Sequence, residues 1–245
     1  MIVYKRKIGP IRHEVAFFPT SVPATAALRF SEWRQCASTC QKPGLIRTLY
    51  KTMHINLSKS KEEIFNAFNA TCRNECRRAE REGILVKEVR DITLFVDFFN
   101  AFAESKGRSK IDVAAFKMFL DNLVIFGAYS DDIPLAMHSY ICDSGAGIAR
   151  LLHSASILRN FADNKARNTI ARANRYLHYQ DILYFKSKNY STYDFGGLGD
   201  GDEELRKISD FKNGFGGVPV EQAHYMSILL AAALYLKGLF NFKRF

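Results

Sequence analysis

The spacing of apolar side chains predicts an amphipathic helix over residues 60–83. Apolar residues recur every four positions, at Ile64, Phe68, Cys72 and Cys76, which places them on one helical face. A Ser-x-x-Glu pair stands at its start and a glycine at its end, as in a capping box followed by a C-terminal stop. The opposite face carries three arginines at helical spacing, Arg73, Arg77 and Arg81. These arginines either contact phosphates or face solvent.

The pattern then predicts further helices and a group of antiparallel strands. Helices are expected at 92–106, 110–122 and about 167–188. Short apolar runs separated by turn sequences predict strands at 123–130, 133–143 and 147–156. Another strand is expected in NYSTYDFGG, and residues 1–57 alternate in short pieces typical of strands and loops. Together these elements indicate an α+β fold with a mixed, largely antiparallel sheet flanked by helices.

Composition adds an argument from charge. The chain has 35 Lys and Arg against 25 Asp and Glu, and a net charge of +10 favours polyanions such as nucleic acid, anionic lipid or phosphorylated substrates. No secretory signal is visible, and the longest uncharged apolar run, 226–236, is shorter than the roughly 20 residues that span a bilayer. A cytoplasmic protein is therefore predicted. The aromatic and basic residues of 237–245 suggest, as an addition, peripheral contact with anionic lipid at the inner face of the cell membrane.

The five cysteines do not indicate a metal site or a disulfide framework. Their Cys-x-x-x-Cys pairs lack the tighter spacing usual for structural zinc, and an odd number does not form a complete set of disulfides. Cys72 and Cys76 continue the apolar face of the first helix, where free cysteine packs as a small hydrophobic residue. We therefore predict no bound metal.

Glycines cluster in residues 193–217, YDFGGLGDGDEELRKISDFKNGFGG, which hold seven of the fifteen in the chain. Such a cluster marks tight turns or a place where another group approaches the main chain. The long helix, the strand ending in Tyr-Asp-Phe-Gly-Gly and the later Phe-Lys-x-Gly-Phe-Gly segment resemble the second acyltransferase-type domain of the Fem proteins. These are the peptidoglycan interpeptide-bridge aminoacyltransferases, with BioF2-like relatives in the GNAT superfamily. The similarity extends over about residues 50–220.

This resemblance implies a GNAT-like acyltransferase fold. It suggests a reduced N-terminal region at 1–57, a helical connector at 58–91 and a GNAT-like acyltransferase domain at 92–245. The implied reaction moves an aminoacyl or related acyl group onto an amine or hydroxyl of a cell-envelope precursor, either peptidoglycan or a surface glycan. The donor would be aminoacyl-tRNA or acyl-CoA as a co-substrate, with no bound cofactor. Two alternatives are an acyltransferase that modifies a sugar from acyl-CoA or a carrier protein, and a non-catalytic basic binding module.

The resemblance assigns catalysis to Phe211 and Lys212. A lysine ammonium beside the reacting carbonyl can stabilise a tetrahedral oxyanion, although most lysines are simply exposed. Gly214 and Gly216 would let the backbone approach the acyl donor. Asp194 either acts as a catalytic carboxylate on the incoming amine or only hydrogen-bonds the turn that follows it.

Candidate substrate-binding residues surround this segment. Three of them end the predicted strand, Tyr193, Gly196 and Gly197. The long helix carries a polar stripe that includes Arg167, Asn174, His178 and Asp181, and His178 is a candidate general base. His153 is a second candidate base, in the run ARLLHSAS. A lone histidine is more often structural, and no partner of a catalytic triad is visible for either of these two.

Overall fold

The computed structural model describes residues 1–158, 163–199 and 203–236. The strands in chain order are Ile2–Ile8 (β1), Ile11–Phe17 (β2), Ser31–Cys36 (β3), Leu45–Asn56 (β4), Leu85–Glu88 (β5), Leu123–Ser130 (β6), Ile133–Asp143 (β7), Ile148–Ser156 (β8), Thr192–Gly197 (β9) and Val218–Ser227 (β10). The α-helices are Lys61–Ala67 (α1), Ala70–Arg81 (α2), Ile92–Ser105 (α3), Val113–Lys117 (α4), Asn164–Ser187 (α5), Glu203–Asn213 (α6) and Ile228–Leu236 (α7). Within the described ranges, none of these helices combines the length and apolar character needed to cross a membrane.

The chain divides into two compact units. Among the described residues, one contains those of 1–52 and 219–236, and the other contains those of 53–218. These limits differ from the ranges 1–57, 58–91 and 92–245 expected from the sequence. The physical reason is that β10 pairs with β3 within the first unit, where Ala223 lies opposite Cys36. Pairing between such distant segments leaves no local pattern in the sequence.

The first unit has the strand order β1-β2-β3-β10-β4. β1 and β2 form an antiparallel hairpin, β2 and β3 are parallel, and β3 and β10 are antiparallel. Tyr225 is fully buried in its core, and its hydroxyl lies 2.9 and 2.7 Å from the carbonyl oxygens of Ser38 and Cys40. The strands expected within residues 1–57 are thus present.

The second unit has the strand order β9-β8-β7-β6-β5 and is covered on both faces. Successive side chains of a strand point to opposite faces, so Phe126 and Ala136 join the cluster formed with α2 and α5, while Ile125 and Met137 join the cluster formed with α3 and α4. β7 is therefore buried along most of its length. β5 pairs with β6, β6 with β7 and β7 with β8, all antiparallel, whereas β8 and β9 are parallel. The mixed, largely antiparallel sheet predicted from the sequence is confirmed.

The helix predicted over residues 60–83 is wrong in one respect, because it divides into α1 and α2. Ser60 and Glu63 form the expected capping box. Phe68 then takes an extended conformation and Asn69 begins α2, with its side chain accepting a hydrogen bond from the Cys72 amide. The Asn69 amide itself donates to the carbonyl of Gly214 at 2.9 Å. This tertiary contact replaces a helical bond, which explains why the apolar period alone did not show the break.

Two other segments differ from their predicted form. The helix expected at 110–122 is short, with α4 followed by a 3₁₀ turn at Leu120–Asn122. Residues Glu203–Asn213, for which no element was predicted, form α6. By contrast, Cys72 and Cys76 are free and buried, as predicted.

Candidate active site

A cavity of about 1050 Å³ opens in the second unit, where β8 and β9 separate. The two strands pair through Ile148 and Thr192, Ala149 and Tyr193, and finally Arg150 and Asp194. Arg150 and the residues that follow this pairing, 151–156 on β8 and 195–197 on β9, line the cavity. Helices α3, α5 and α6 complete its wall. The volume is at the upper end of the range for small-molecule sites, roughly 300–1,000 Å³.

The cavity lining is strongly basic. Among the described residues it contains six lysines and arginines and no aspartate or glutamate: Lys106, Arg108, Arg150, Arg167, Lys207 and Lys212. These side chains come from the end of α3 and the segment after it, from β8, and from two helices. A concave surface lined by one sign of charge concentrates ligands of the opposite sign. The cavity therefore suits a substrate that carries several negative charges.

Lys212 lies in the last turn of α6 and is mostly buried, with 9% of its surface exposed. Its Nζ donates a hydrogen bond of 2.5 Å to the carbonyl oxygen of Gly197, at the end of β9. Burial lowers the pKa of Lys212 to about 8, while the charge of Asp194 opposes this shift and that of Arg150 adds to it. The expectation of an ordinary exposed lysine is therefore excluded.

Asp194 is completely buried and does not line the cavity. Its Oδ1 accepts a 2.7 Å hydrogen bond from the amide of Gly196, which holds the turn at the end of β9. Its Oδ2 lies 3.6 Å from Nε2 of His54 and 3.9 Å from Nε of Arg150. Asp194 thus has the turn-forming contact foreseen as one of its two roles, and its charge also holds Arg150 beside the cavity.

His178 lies at the centre of an aromatic wall. Its ring packs against Phe195, Phe211 and Phe215, with centroid distances of 4.9, 5.6 and 5.4 Å. Phe195 and Phe211 also line the cavity, as does His178 itself. Burial is the main cause that lowers the pKa of His178 well below 6.5, with further contributions from the charges of His138, Lys212 and Arg175. The imidazole is consequently neutral near pH 7.

The polar stripe predicted on the long helix lies on the inner face of α5. Arg167, Asn174 and His178 line the cavity, and Asp181 is buried one turn beyond them. Tyr193 is fully buried behind this wall, and its hydroxyl lies 2.7 Å from Nδ1 of His178. Tyr193 is therefore positioned to act on His178 rather than on a ligand.

His153 also lines the cavity, but its ring is enclosed by phenylalanines. The centroids of Phe99 and Phe116 lie 4.8 and 5.4 Å from it, and its Nδ1 lies 3.1 Å from Oγ of Ser139. Burial, together with the charge of Arg150, lowers the pKa of His153 to about 4. This histidine is thus neutral and packed, which fits the structural alternative foreseen for it.

Gly196 and Gly197 border the cavity, whereas Gly214 and Gly216 contact the protein's own chain. A Cβ on Gly214 would lie 3.1 Å from the carbonyl oxygen of Phe211, and one on Gly216 only 2.2 Å from that of Ala67. Gly216 also has a φ of +66°, which favours glycine. Packing within the chain therefore explains these two glycines without an acyl donor.

Several residues of the site were not foreseen from the sequence. His138 and Tyr140 on β7 and Arg150 on β8 face α5 or the cavity. Arg150 carried a usable signal, since a charged residue within an apolar strand is unusual. The arginine stripe on α2 lies elsewhere in the unit, with Arg77 and Arg81 exposed. The segment 237–245, which suggested membrane contact, lies outside the described residues.

His138, His178 and Asp181 bring ligand-type atoms within 4.8 Å of one another. Both Nδ1 atoms of the histidines already have hydrogen-bond partners, Asp181 Oδ2 at 2.7 Å and the Tyr193 hydroxyl at 2.7 Å. A cation bound at these Nδ1 atoms would compete with those hydrogen bonds. The arrangement is therefore better described as a buried hydrogen-bond network, and the absence of a metal stays a prediction.

Comparison with known proteins supports the fold assignment. No family model and no curated protein matches the sequence. Among solved structures, FemX superposes with a TM-score of 0.68 at 14% identity, over 96% of this chain and 85% of that chain. L-PGS from Bacillus licheniformis gives 0.57 at 14% identity, over 97% and 85% of the two chains. The C-terminal domain of a putative lysylphosphatidylglycerol synthetase from Agrobacterium fabrum gives 0.57 at 13%, over 96% and 83%. The fold expected from the resemblance to the Fem proteins is confirmed.

Proposed function

We propose that this chain is an acyltransferase that moves an aminoacyl or related acyl group from a phosphate-bearing donor onto an amine or hydroxyl. The observation that carries the proposal is the cavity itself, with its six basic residues and the buried Lys212 at the point where β8 and β9 separate. The fold shared with FemX supports acyl transfer as the class of reaction. One neighbour is named for lysylphosphatidylglycerol, which supports an aminoacyl group as the cargo.

The cavity offers the groups that acyl transfer needs. The Lys212 ammonium can stabilise the negative charge that develops on the carbonyl oxygen, because it is held in a water-poor site. Arg108, Lys106 and Lys207 line the same cavity and are candidate contacts for donor phosphates. Phe211 packs against His178 and under the guanidinium of Arg175, 5.1 Å from its ring centroid. Phe211 thereby supplies an apolar surface of the cavity beside Lys212 and His178.

The proposed acceptor is a cell-envelope precursor, either a peptidoglycan intermediate or a surface glycan. An acyltransferase that modifies a sugar from acyl-CoA is the first alternative, and a basic binding module without catalysis is the second. A binding module does not require a buried lysine with a lowered pKa, since burial of a cation is unfavourable. Lys212 therefore favours the two enzymatic functions.

A transfer assay with purified protein tests the proposal. Aminoacyl-tRNAs and acyl-CoAs, each carrying a labelled acyl group, would be incubated with peptidoglycan precursors, aminosugars and anionic lipids. We expect a mass increase in one acceptor class, with stoichiometric release of deacylated donor. Tight binding of donors without any acyl transfer across this panel would contradict an enzymatic function and favour the binding module.

Donor binding should depend steeply on salt if tRNA phosphates contact the cavity. Each neutralised phosphate releases counterions, so the logarithm of affinity falls linearly with that of salt concentration. Arg108→Gln should reduce the magnitude of this slope by about 1, the contribution of one phosphate contact. Arg81→Gln, on the exposed face of α2, should leave the slope unchanged. If Arg81→Gln reduced the slope and Arg108→Gln did not, the phosphates would bind at α2 and not in the cavity. Tight, salt-insensitive binding of an acyl-CoA would exclude tRNA as the donor.

The reaction should slow as the pH rises through about 8. Burial lowers the pKa of Lys212 to about 8, so the ammonium loses its proton above that pH and the oxyanion loses its cation. Lys212→Arg keeps its charge at higher pH, so the variant's rate should lack this decline. Ionisation of the acceptor affects wild type and Lys212→Arg equally, so it cancels when the rate of one is divided by that of the other at each pH. If both profiles decline together, Lys212 does not act through its charge.

A further inference from the structure

A chain of buried hydrogen bonds runs behind the cavity wall from His178 to Asp181. Nδ1 of His178 lies 2.7 Å from the Tyr193 hydroxyl, and that hydroxyl lies 2.8 Å from the hydroxyl of Tyr140. Tyr140 in turn donates to Oδ2 of Asp181 at 2.5 Å. Oδ2 also lies 2.7 Å from Nδ1 of His138. All five side chains are almost completely buried.

Counting protons along this chain fixes the direction of each bond. A phenol has a single proton to donate, and Tyr140 uses its own on Asp181. The Tyr140 oxygen must then accept from Tyr193, which leaves Tyr193 no proton for His178. The Tyr193 oxygen therefore accepts, and Nδ1 of His178 is the donor. Burial raises the pKa of both tyrosines well above 10, so neither loses its proton near neutral pH.

This arrangement selects one tautomer of His178. A neutral imidazole carries one proton, and the bond to Tyr193 places it on Nδ1. Nε2 then carries the lone pair. In the described part of the chain Nε2 makes no hydrogen bond, and His178 lines the cavity beside Lys212. A basic nitrogen in its unprotonated form thus lies in the wall of the cationic cavity.

We propose that Nε2 of His178 accepts the proton of the acyl acceptor, and that Tyr193, Tyr140 and Asp181 are positioning residues that hold the required tautomer. This inference rests on the proposed acyl transfer. The acceptor nitrogen or oxygen forms a bond to the carbonyl carbon, and its proton passes to Nε2. The carbonyl electron pair moves to the oxygen, where Lys212 stabilises the charge. When that oxyanion collapses, the bond to the donor's leaving oxygen or sulfur breaks, and Nε2 returns the proton to the leaving atom.

The tautomer is measurable without any substrate. In protein labelled with ¹⁵N-histidine, long-range ¹H–¹⁵N spectra show which ring nitrogen is protonated, and His178→Gln identifies the His178 signals among the six histidines. We expect a protonated Nδ1 and a bare Nε2 at pH 7. Tyr193→Phe removes the acceptor of the Nδ1 proton, so the signals should shift toward the Nε2-protonated form. An Nε2-protonated ring in the wild type would overturn the inference. So would stoichiometric Zn²⁺ binding that shifts His138 and His178 together, since it would identify a metal site.

The kinetic arm separates this inference from the proposed function. With the donor and acceptor found in the transfer assay, His178→Gln should lower kcat about 100-fold, the loss of one general base. Tyr193→Phe should lower kcat roughly tenfold with little change in KM, because only the tautomer is affected. Tyr184→Phe removes a partly exposed hydroxyl outside the network and should keep the wild-type rate. Transfer that survives His178→Gln would refute this inference alone, whereas no transfer by the wild type would refute the proposed function.

Discussion

Lys212→Met should lower the rate of acyl transfer roughly 100- to 1,000-fold, the loss typical of one group that stabilises an oxyanion. Methionine keeps the aliphatic stem that packs at the end of α6 but removes the ammonium. Because the interaction is strongest in the transition state, kcat should fall much more than substrate affinity changes. Single-turnover kinetics with saturating donor would measure the chemical step, and thermal unfolding would show that the fold is retained.

Lys186→Met is a matched control for this variant. Lys186 also lies in the last turn of its helix, α5, and its Nζ donates to a backbone carbonyl, that of Leu57, at 2.9 Å. It does not line the cavity. Both substitutions therefore remove one lysine-to-carbonyl hydrogen bond, yet only Lys212→Met removes a charge from the proposed site. Equal rates for the two variants would show that Lys212 contributes to structure and not to catalysis.

Gly216→Ala should destabilise the fold by about 3 kcal/mol. Two costs add up: a non-glycine residue at a positive φ costs roughly 1–2 kcal/mol, and overpacking costs roughly 1–3 kcal/mol. The new Cβ would lie 2.2 Å from the carbonyl oxygen of Ala67, at the end of α1. The oxygen belongs to the backbone and the position of a Cβ is set by the backbone, so neither atom can move aside cheaply. The free energy of unfolding, measured in urea, gives the loss directly.

Gly107→Ala separates the two costs. Gly107 has a similar φ of +61°, but its Cβ would meet no heavy atom within 4 Å. The free energy of unfolding of this variant should fall only by the cost of the positive φ, about 1 kcal/mol. An equal loss of stability in both variants would contradict the close approach of Gly216 to α1.

The local elements of this protein follow from its sequence because their causes are local. β6 and β7 begin and end where turn residues interrupt apolar runs, and the structure gives them the predicted limits. The stripe with Asn174 and His178 faces inward because its helical spacing places it beside apolar positions that must be buried. The rest of the fold was predicted from the resemblance to the Fem proteins, which rests on the strand that ends in Gly197 and on the Phe-Lys pair.

The environment of each site residue did not follow, because it depends on partners far away in the chain. Tyr140 and Asp181 are 41 positions apart, and no local pattern connects them. Lys212 stands between Phe211 and Asn213 in the sequence, which does not indicate burial. The packing of α6 against the end of β9 buries it. The need for glycine at position 216 is likewise not predictable from neighbouring residues, because it comes from the nearby carbonyl group of Ala67.

We expect the acyl group to react in the cavity between Lys212 and His178. A crystal structure with a stable donor analogue tests it most directly. The probes would be a tRNA acceptor-end mimic with an amide-linked aminoacyl group and a thioether analogue of acyl-CoA, used separately. We expect one of them to place its carbonyl oxygen within about 3 Å of Nζ of Lys212, with phosphates against the arginines of the cavity wall. An analogue bound outside the cavity, or one whose carbonyl lies away from Lys212, would contradict the account.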